Sequence, residues 1–271
     1  MSKFQVFSDT HFETNHLNVQ MPRRAENLIL AGDISTWSHS SLYEFLDYAS
    51  VTWKHIFYVP GNHEFYCTTV KASYHTIDTE LRQKINSRYT NVFYLNNDTV
   101  YVDDTVHMKP VDGSICIIGS ILWSAPMEIV EPTINDFSLI CVDEGSAVKP
   151  MRAVDMRMLN KECVQYIKSQ MTDMPTILIT HFPPIRGGTS PPKYAFSDES
   201  IKQYFSNQLD YIIYDNAQIK WWVFGHTHHA NAIDKGNCKL LTNAIGYRNE
   251  TISRRHFLYD NNDPYSCVFE M

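Results

Sequence analysis

Residues 3–11 read KFQVFSDTH: a strand-like apolar run that stops on Asp9 and His11, two side chains suited to binding a metal ion. The same construction recurs along the chain. NLILA (27–31) leads into GD with Asp33, IFYVP (56–60) into GNHE with Asn62 and His63, TILIT (176–180) into His181, and WWVF (221–224) into GHTH with His226 and His228. Each run is short and nearly continuous in apolar residues, the pattern of a strand covered on both faces. In sheets that alternate with helices, the ligand crevice lies at the carboxyl ends of the strands. Asp, His and Asn delivered there from five strands can therefore converge on one site.

Outward from these runs, strands are expected at Phe4–Ser8, Asn27–Ala31, His55–Pro60, Val92–Leu95, Ile115–Leu122, Thr176–Thr180 and Trp221–Phe224. Helices are expected at Ser40–Ser50, Thr69–Asn86, Arg152–Gln170 and Asp198–Asn207. In the third of these, Val154, Met158, Leu159, Val164 and Ile167 recur at helical spacing and mark an apolar face. The alternation predicts an α/β sandwich, and the strand-rich stretch from Val92 to Trp123 predicts hairpins and mixed sheets. HMKPVDGS (107–114) reads as a hairpin turn, while FPPIRGGTSPPKYAFSD (182–198) is too long for a simple connection and reads as a substrate-facing loop. No linker divides the chain, so residues 1–271 read as a single domain.

The totals narrow the function classes. With 271 residues, 44% of them hydrophobic, the chain can bury a substantial core. It has no apolar run of the roughly 18 residues a membrane span needs and no secretory leader, which makes the cytoplasm the default address. The six cysteines form no CxxC pair and read as buried thiols in a reducing compartment. A formal charge of −7 argues against a surface that grips long nucleic acid through its phosphates. It leaves room for a local cationic pocket made by bound metal.

Asp9, His11, Asp33, Asn62, His63, His181, His226 and His228 combine several imidazoles with two carboxylates and one amide oxygen. That set suits a borderline transition metal better than calcium or magnesium, which prefer all-oxygen shells. The donors outnumber one ion's needs, whereas a pair of ions sharing a bridging carboxylate accommodates them. In Asp9-x-His11 and His226-x-His228 the two side chains lie two apart, so in extended backbone they point to the same side.

In order, DTH, GD, GNHE, a lone histidine after a strand and GHTH resemble the calcineurin-like metallophosphoesterase superfamily, and the match runs from Asp9 to His228. SDTHFE, GNHEFY, an ILW after a strand and NAIGY are similar to a group of small microbial phosphoesterases within it. The resemblance implies a β-sandwich of two mixed sheets flanked by α-helices. It assigns Asp9, His11 and His228 to a first metal, Asn62, His181 and His226 to a second, and Asp33 to the bridge. Asn62 and His63 would contact substrate, with His63 as general acid or phosphate ligand. The implied cofactors are two divalent transition-metal ions, manganese first, with iron, zinc or nickel behind it. They would generate hydroxide from a bridging water and align it for attack on phosphorus, while a protonated imidazole stabilises the departing oxygen. The implied substrate is a small phosphoester: a nucleotide, a cyclic nucleotide or another phosphodiester.

A protein Ser/Thr phosphatase of the superfamily would carry GDxVDRG, but here Ile34, Ser35, Thr36 and Trp37 follow Asp33. A non-catalytic scaffold, as in one endosomal coat subunit, would have lost motif residues that this chain keeps. A closed structural metal site would be a tetrahedral Cys/His set, which is not the pattern here. His16, His39, His55, His75, His107 and His256 read as ordinary histidines, and His229 points away from His226 and His228. Glu64 reads either as a partner orienting a ligand histidine or as a structural residue of its loop. Trp221 and Trp222 read as packing, and Tyr66, Trp123, Arg186, Tyr247 and Arg248 are placed near the pocket, where aromatic residues more often pack than bind.

Overall fold

The computed structural model describes residues 1–15, 20–68, 71–194, 196–248, 250 and 266–271. His16, Thr69 and His256 lie outside the described residues. The chain opens with β1 (Lys3–Phe7), the one-turn α1 (Phe12–Asn15), β2 (Asn27–Ala31), α2 (Ser40–Thr52), β3 (His55–Val59), α3 (Tyr74–Arg88) and β4 (Val92–Tyr94). There follow β5 (Asp98–Val102), β6 (Val106–His107), β7 (Ile115–Ser120), α4 (Asp136–Leu139), β8 (Cys141–Glu144), β9 (Ala147–Pro150), α5 (Ala153–Ser169) and β10 (Thr176–Thr180). The last part supplies α6 (Glu199–Phe205), α7 (Asp210–Asp215), β11 (Ile219–Phe224), β12 (Asn231–Lys235), β13 (Cys238–Thr242) and β14 (Val268–Glu270).

Two large sheets result. In the first, β1, β2, β3 and β4 run parallel and β14 returns antiparallel on the outer edge of β1. The second has the order β12-β13-β11-β10-β7-β5-β6, with a parallel centre and antiparallel strands at both edges. Both sheets are mixed, as expected, and β8 and β9 form a separate hairpin.

The near-continuous apolar runs sort by the two-residue period of a strand. Phe4, Val6, Ile29, Ala31, Phe57 and Val59 of the first sheet meet Ile117, Ile177, Ile179, Val223 and Leu241 of the second in one buried layer. The alternate residues, among them Leu28, Leu30, Tyr58, Leu178, Trp222 and Phe224, face the helices. Trp222 is packing, as its place in the run suggested.

Three local expectations are corrected. The buried stripe of α5 is Ala153, Met156, Leu159, Cys163 and Ile167, spaced three and four apart; Val154 and Met158 stand on its flank, 48% and 61% exposed. The helix expected from Thr69 begins at Tyr74, because the Ser73 hydroxyl accepts from Thr76 N–H at 3.2 Å and caps it. HMKPVDGS is not the hairpin turn. That turn lies at Asp103–Thr105, where the Asp103 carboxylate accepts from Thr105 N–H at 2.8 Å, and β7 then pairs with β5 instead of β6. All six cysteines are free; five are buried and Cys67 is half-buried. No helix among the described residues is long and apolar enough to cross a membrane.

Candidate metal centre

The carboxyl ends of β1, β2, β3, β10 and β11 turn sharply, and those turns build the centre. Asp9, His11, Asp33, His226 and His228 have φ of 54°, 45°, 54°, 73° and 51°. They are five of the seven non-glycine residues with left-handed backbone among the described residues, a conformation costing on the order of 1 kcal/mol or more and concentrated at functional sites. The turns are braced from beneath. The buried Glu64 carboxylate accepts from Tyr58 O–H at 2.7 Å, Ile34 N–H at 2.8 Å, Gly61 N–H at 2.8 Å and Asp33 N–H at 3.0 Å, tying the ends of β2 and β3 together. Of the two readings open for Glu64, the structural one holds: it touches the backbone of the turns and no histidine of the centre. Glycine precedes Asp33, Asn62 and His226 because nothing larger fits. A Cβ at Gly225 would sit 2.6 Å from Asp9 Oδ2, and one at Gly61 would collide with Asp33 Oδ1.

The donors fall into two groups around Asp33. In the first, Asp9, His11 and His228 come together: His11 Nε2 lies 3.0 Å from His228 Nε2, and His228 Nε2 lies 3.6 Å from Asp9 Oδ1. Both rings are held from behind, His11 Nδ1 by Glu13 at 3.3 Å and His228 Nδ1 by Glu250. In the second, Asp33, His181 and His226 come together with Asn62. His181 Nδ1 donates to the Ala31 carbonyl at 2.9 Å, while His181 Nε2 faces Asn62 Oδ1 at 2.9 Å and Asp33 Oδ2 at 3.4 Å. Asp33 Oδ2 also lies 3.8 Å from His11 Nε2, so one carboxylate reaches both groups.

This chemistry calls for cations. A neutral imidazole whose Nδ1–H is committed to a carboxylate or carbonyl presents a lone pair at Nε2. With the rings neutral, His11 and His228 aim lone pairs at each other and His181 aims one at an amide oxygen; where no cation is bound, burial opposes charge but Asp33 lifts His181 to about 9 and Glu250 raises His228, so that protons take the place of the metal. Asp9 Oδ2 and His226 Nε2 are buried and have no hydrogen-bond partner among the described residues. Orphaned or facing acceptor atoms of this kind are repulsive while unprotonated and fit a positive charge between them. The residues present fit a divalent metal.

His63 stands beside the groups. Its N–H donates to Asp33 Oδ1 at 2.9 Å, its Nδ1 meets Glu13 Oε1 at 3.1 Å and its Nε2 meets the Tyr247 hydroxyl at 3.2 Å. Burial opposes charge on this imidazole, but the Asp33 and Glu13 carboxylates outweigh it and hold its pKa up at about 9. His63 opens on a cavity of about 970 Å³, together with Asn62, Tyr66, His226, His228 and Tyr247. The far wall is the Pro- and Gly-rich loop, through Arg186, Gly188, Ser190 and Tyr194, with Lys202 and Phe205 of α6. Trp123 is not at the pocket: it is fully buried against Phe65, Tyr74 and Phe182. Arg248 is exposed and does not line the cavity, its backbone N–H donating to Asn15. His229 lines the cavity but belongs to neither donor group.

Residues 2–230 match the model of the calcineurin-like phosphoesterase family. The chain belongs to that family. A protein of Acanthamoeba polyphaga mimivirus, named only as uncharacterised, is 30% identical over 255 residues, covering 89% of this chain and 82% of its own. Among solved structures, this phosphoesterase is similar in fold to the phosphopantetheinyl hydrolase of Mycobacterium tuberculosis, with a TM-score of 0.72 at 18% identity over 94% of this chain and 93% of that one.

Four residues at the phosphoesterase centre escape a reading by motif. Glu13 and Glu250 back the histidines of the first group, and Asp136 and Tyr204 stand behind the second. Glu13 lies two residues after His11 within SDTHFE, which is a local signal; the others reach the centre only through the fold.

Proposed function

We propose that the chain is a dinuclear metal-dependent phosphoesterase acting on a small phosphoester, through one domain spanning residues 1–271. The observation that carries this reading is the pair of facing donor sets, His11 Nε2 against His228 Nε2 at 3.0 Å and His181 Nε2 against Asn62 Oδ1 at 2.9 Å, with Asp33 reaching both. Asp9, His11 and His228 would hold one ion, Asn62, His181 and His226 the other, and Asp33 would be shared. Two bound ions supply charge neutralisation at phosphate oxygens and an acidified water nucleophile. Manganese comes first, as the resemblance to the family implies, with iron, zinc and nickel, which imidazole donors suit, as alternatives.

The protein's own part follows from the geometry. Glu13 fixes His63 with Nδ1 engaged, and its Nε2, 3.2 Å from the Tyr247 hydroxyl at the cavity wall, would hold a proton for the departing oxygen. The left-handed turns hold the donors rigid, so little reorganisation is needed when substrate binds. The cavity is far larger than a phosphate group, and its wall mixes Tyr194 and Phe205 with Arg186 and Lys202. That favours a phosphoester carrying one extended substituent, such as a nucleotide, a cyclic nucleotide or a phosphopantetheinyl ester, the last carrying the group in the name of the mycobacterial protein of similar fold.

Chelator-stripped protein reloaded with Mn²⁺, Fe²⁺, Zn²⁺ or Ni²⁺ and assayed on phosphomonoesters, linear and cyclic nucleotides, short oligonucleotides and a phosphopantetheinyl ester tests this. Metal-dependent turnover of a small ester, strongest with Mn²⁺, is expected. Absence of hydrolysis across all metals and substrates would sink it.

A further inference from the structure

Asp136 begins α4 in a segment that carries no motif, and it is completely buried, 0% exposed. Its carboxylate accepts three hydrogen bonds, all from neutral groups: Asn62 Nδ2 at 2.9 Å and the Tyr66 hydroxyl at 2.8 Å on Oδ1, and the Tyr204 hydroxyl at 2.7 Å on Oδ2. A carboxylate taken out of water and given neutral partners is costly, so its retention calls for a function.

That function lies in the polarity it imposes on Asn62. An ionised carboxylate only accepts, so the amide must turn its NH₂ to Asp136 and its oxygen to His181 Nε2. With His181 neutral, as a bound cation requires, the amide alone would gain by rotating half a turn, because its NH₂ could then donate to the His181 lone pair. Asp136 enforces the orientation that a neutral His181 disfavours and that a cation rewards. We propose that Asp136 is a positioning residue for the second metal position, locking Asn62 with its oxygen toward His181 and Asp33. The inference rests on the reading of Asn62, His181, His226 and Asp33 as a metal-binding set. The two tyrosines extend the same hold: the Tyr66 ring packs on His63 at 4.2 Å between centroids, and the Tyr204 ring lies 5.5 Å from His226.

The test is titration of chelator-stripped protein with Mn²⁺ alone, followed by calorimetry and by the electron paramagnetic resonance of the free ion. Wild type is expected to take up two ions. Asp136→Asn keeps the side-chain shape but can offer an NH₂ to Asn62; affinity for one ion should fall about 10- to 100-fold, the cost typical of losing an outer partner, while the other ion is little affected and the stripped protein's melting temperature holds. Asn62→Asp alone sets two carboxylates side by side and should also bind the second ion poorly. Combining Asn62→Asp with Asp136→Asn exchanges donor and acceptor and again leaves an oxygen toward His181, so two-ion binding should recover to within about tenfold of wild type, a coupling that independent structural damage would not produce.

Unchanged affinity in Asp136→Asn, or losses in the double variant that merely add, would overturn the inference while leaving the two-metal reading intact. Should Asp136→Asn fail to fold, the double variant decides alone, two bound ions sustaining the inference and loss of one in folded protein refuting it. Failure of wild type to bind a second ion would overturn the metal reading itself, and the inference with it.

Discussion

The two donor groups at this centre differ in what stands behind them. His11 and His228 are backed by the carboxylates of Glu13 and Glu250, and this side reaches solvent at its His228 end, with the His228 and Glu250 side chains 14% and 33% exposed while Asp9 and His11 are buried. His181 is backed by a backbone carbonyl and Asn62 by a buried carboxylate, while His226 is enclosed by the rings of Phe182, Tyr204 and Phe205. A carboxylate behind an imidazole raises its basicity more than a carbonyl does. The first position therefore concentrates negative charge, and the second relies on fixed geometry in a buried setting. An ion should be attracted strongly to the first and exchange there readily, and be held at the second by enclosure.

Asp33 belongs to both sides, so its loss is the harshest way to break the comparison. Asp33→Asn is expected to lower hydrolysis by well beyond the roughly 100-fold that removal of an outer partner costs, and to reduce metal content at both positions; two ions retained in elemental analysis of the variant would show that the sides do not depend on a common carboxylate. Dilution of loaded enzyme into excess chelator sharpens the contrast. Metal should leave in two phases, the slow one belonging to the enclosed position and lengthened no further by saturating the first. A single phase would mean the two sides are held alike. His63 lies between the groups and is proposed as a ligand of neither, so in His63→Ala both ions should stay while turnover falls by about 10²- to 10⁴-fold, the usual worth of a positioned acid. The loss should be smaller on p-nitrophenyl esters, whose leaving group needs little protonation, and equal losses on good and poor leaving groups would remove His63 from the acid role.

The same contrast explains what could be read from sequence. Donors at the ends of apolar runs were legible because a strand's carboxyl end is a fixed address in a parallel sheet, and the seven expected strands all appear, each within two residues of its expected ends. The edge strand β12 and its neighbour β13 were not foreseen: NAIDK, at the edge, is half-exposed along its length and carries no continuous apolar run. Residues behind the donors were legible only where local. Glu13 follows His11 by two positions, whereas Asp136 lies 74 residues from Asn62 and Glu250 lies 22 from His228. Hydrogen bonding of that kind is decided by packing, and no spacing in the chain records it. Val154 and Met158 misled for a related reason: on α5 the apolar residues outnumber the buried positions, and the sheet selects the stripe through Met156 and Cys163.

The mildest perturbation falls on the solvent side. Glu250→Gln keeps an oxygen that can accept from His228 Nδ1, so the tautomer with a lone pair at Nε2 survives and only the charge behind the ring is lost. The expected result is an increase of up to about tenfold in the Mn²⁺ concentration needed for half-maximal activity, at the low end of outer-partner effects, with kcat at saturating Mn²⁺ close to wild type. Glu13→Gln is the companion, because Glu13 holds both His11 and His63; it should shift the metal requirement similarly and lower kcat as well, since the group beside the leaving oxygen loses its anchor. If Glu250→Gln lowered kcat as Glu13→Gln does, the carboxylate behind His228 would be acting on the reaction and not merely on the ion, and the first side would no longer differ from the second in kind.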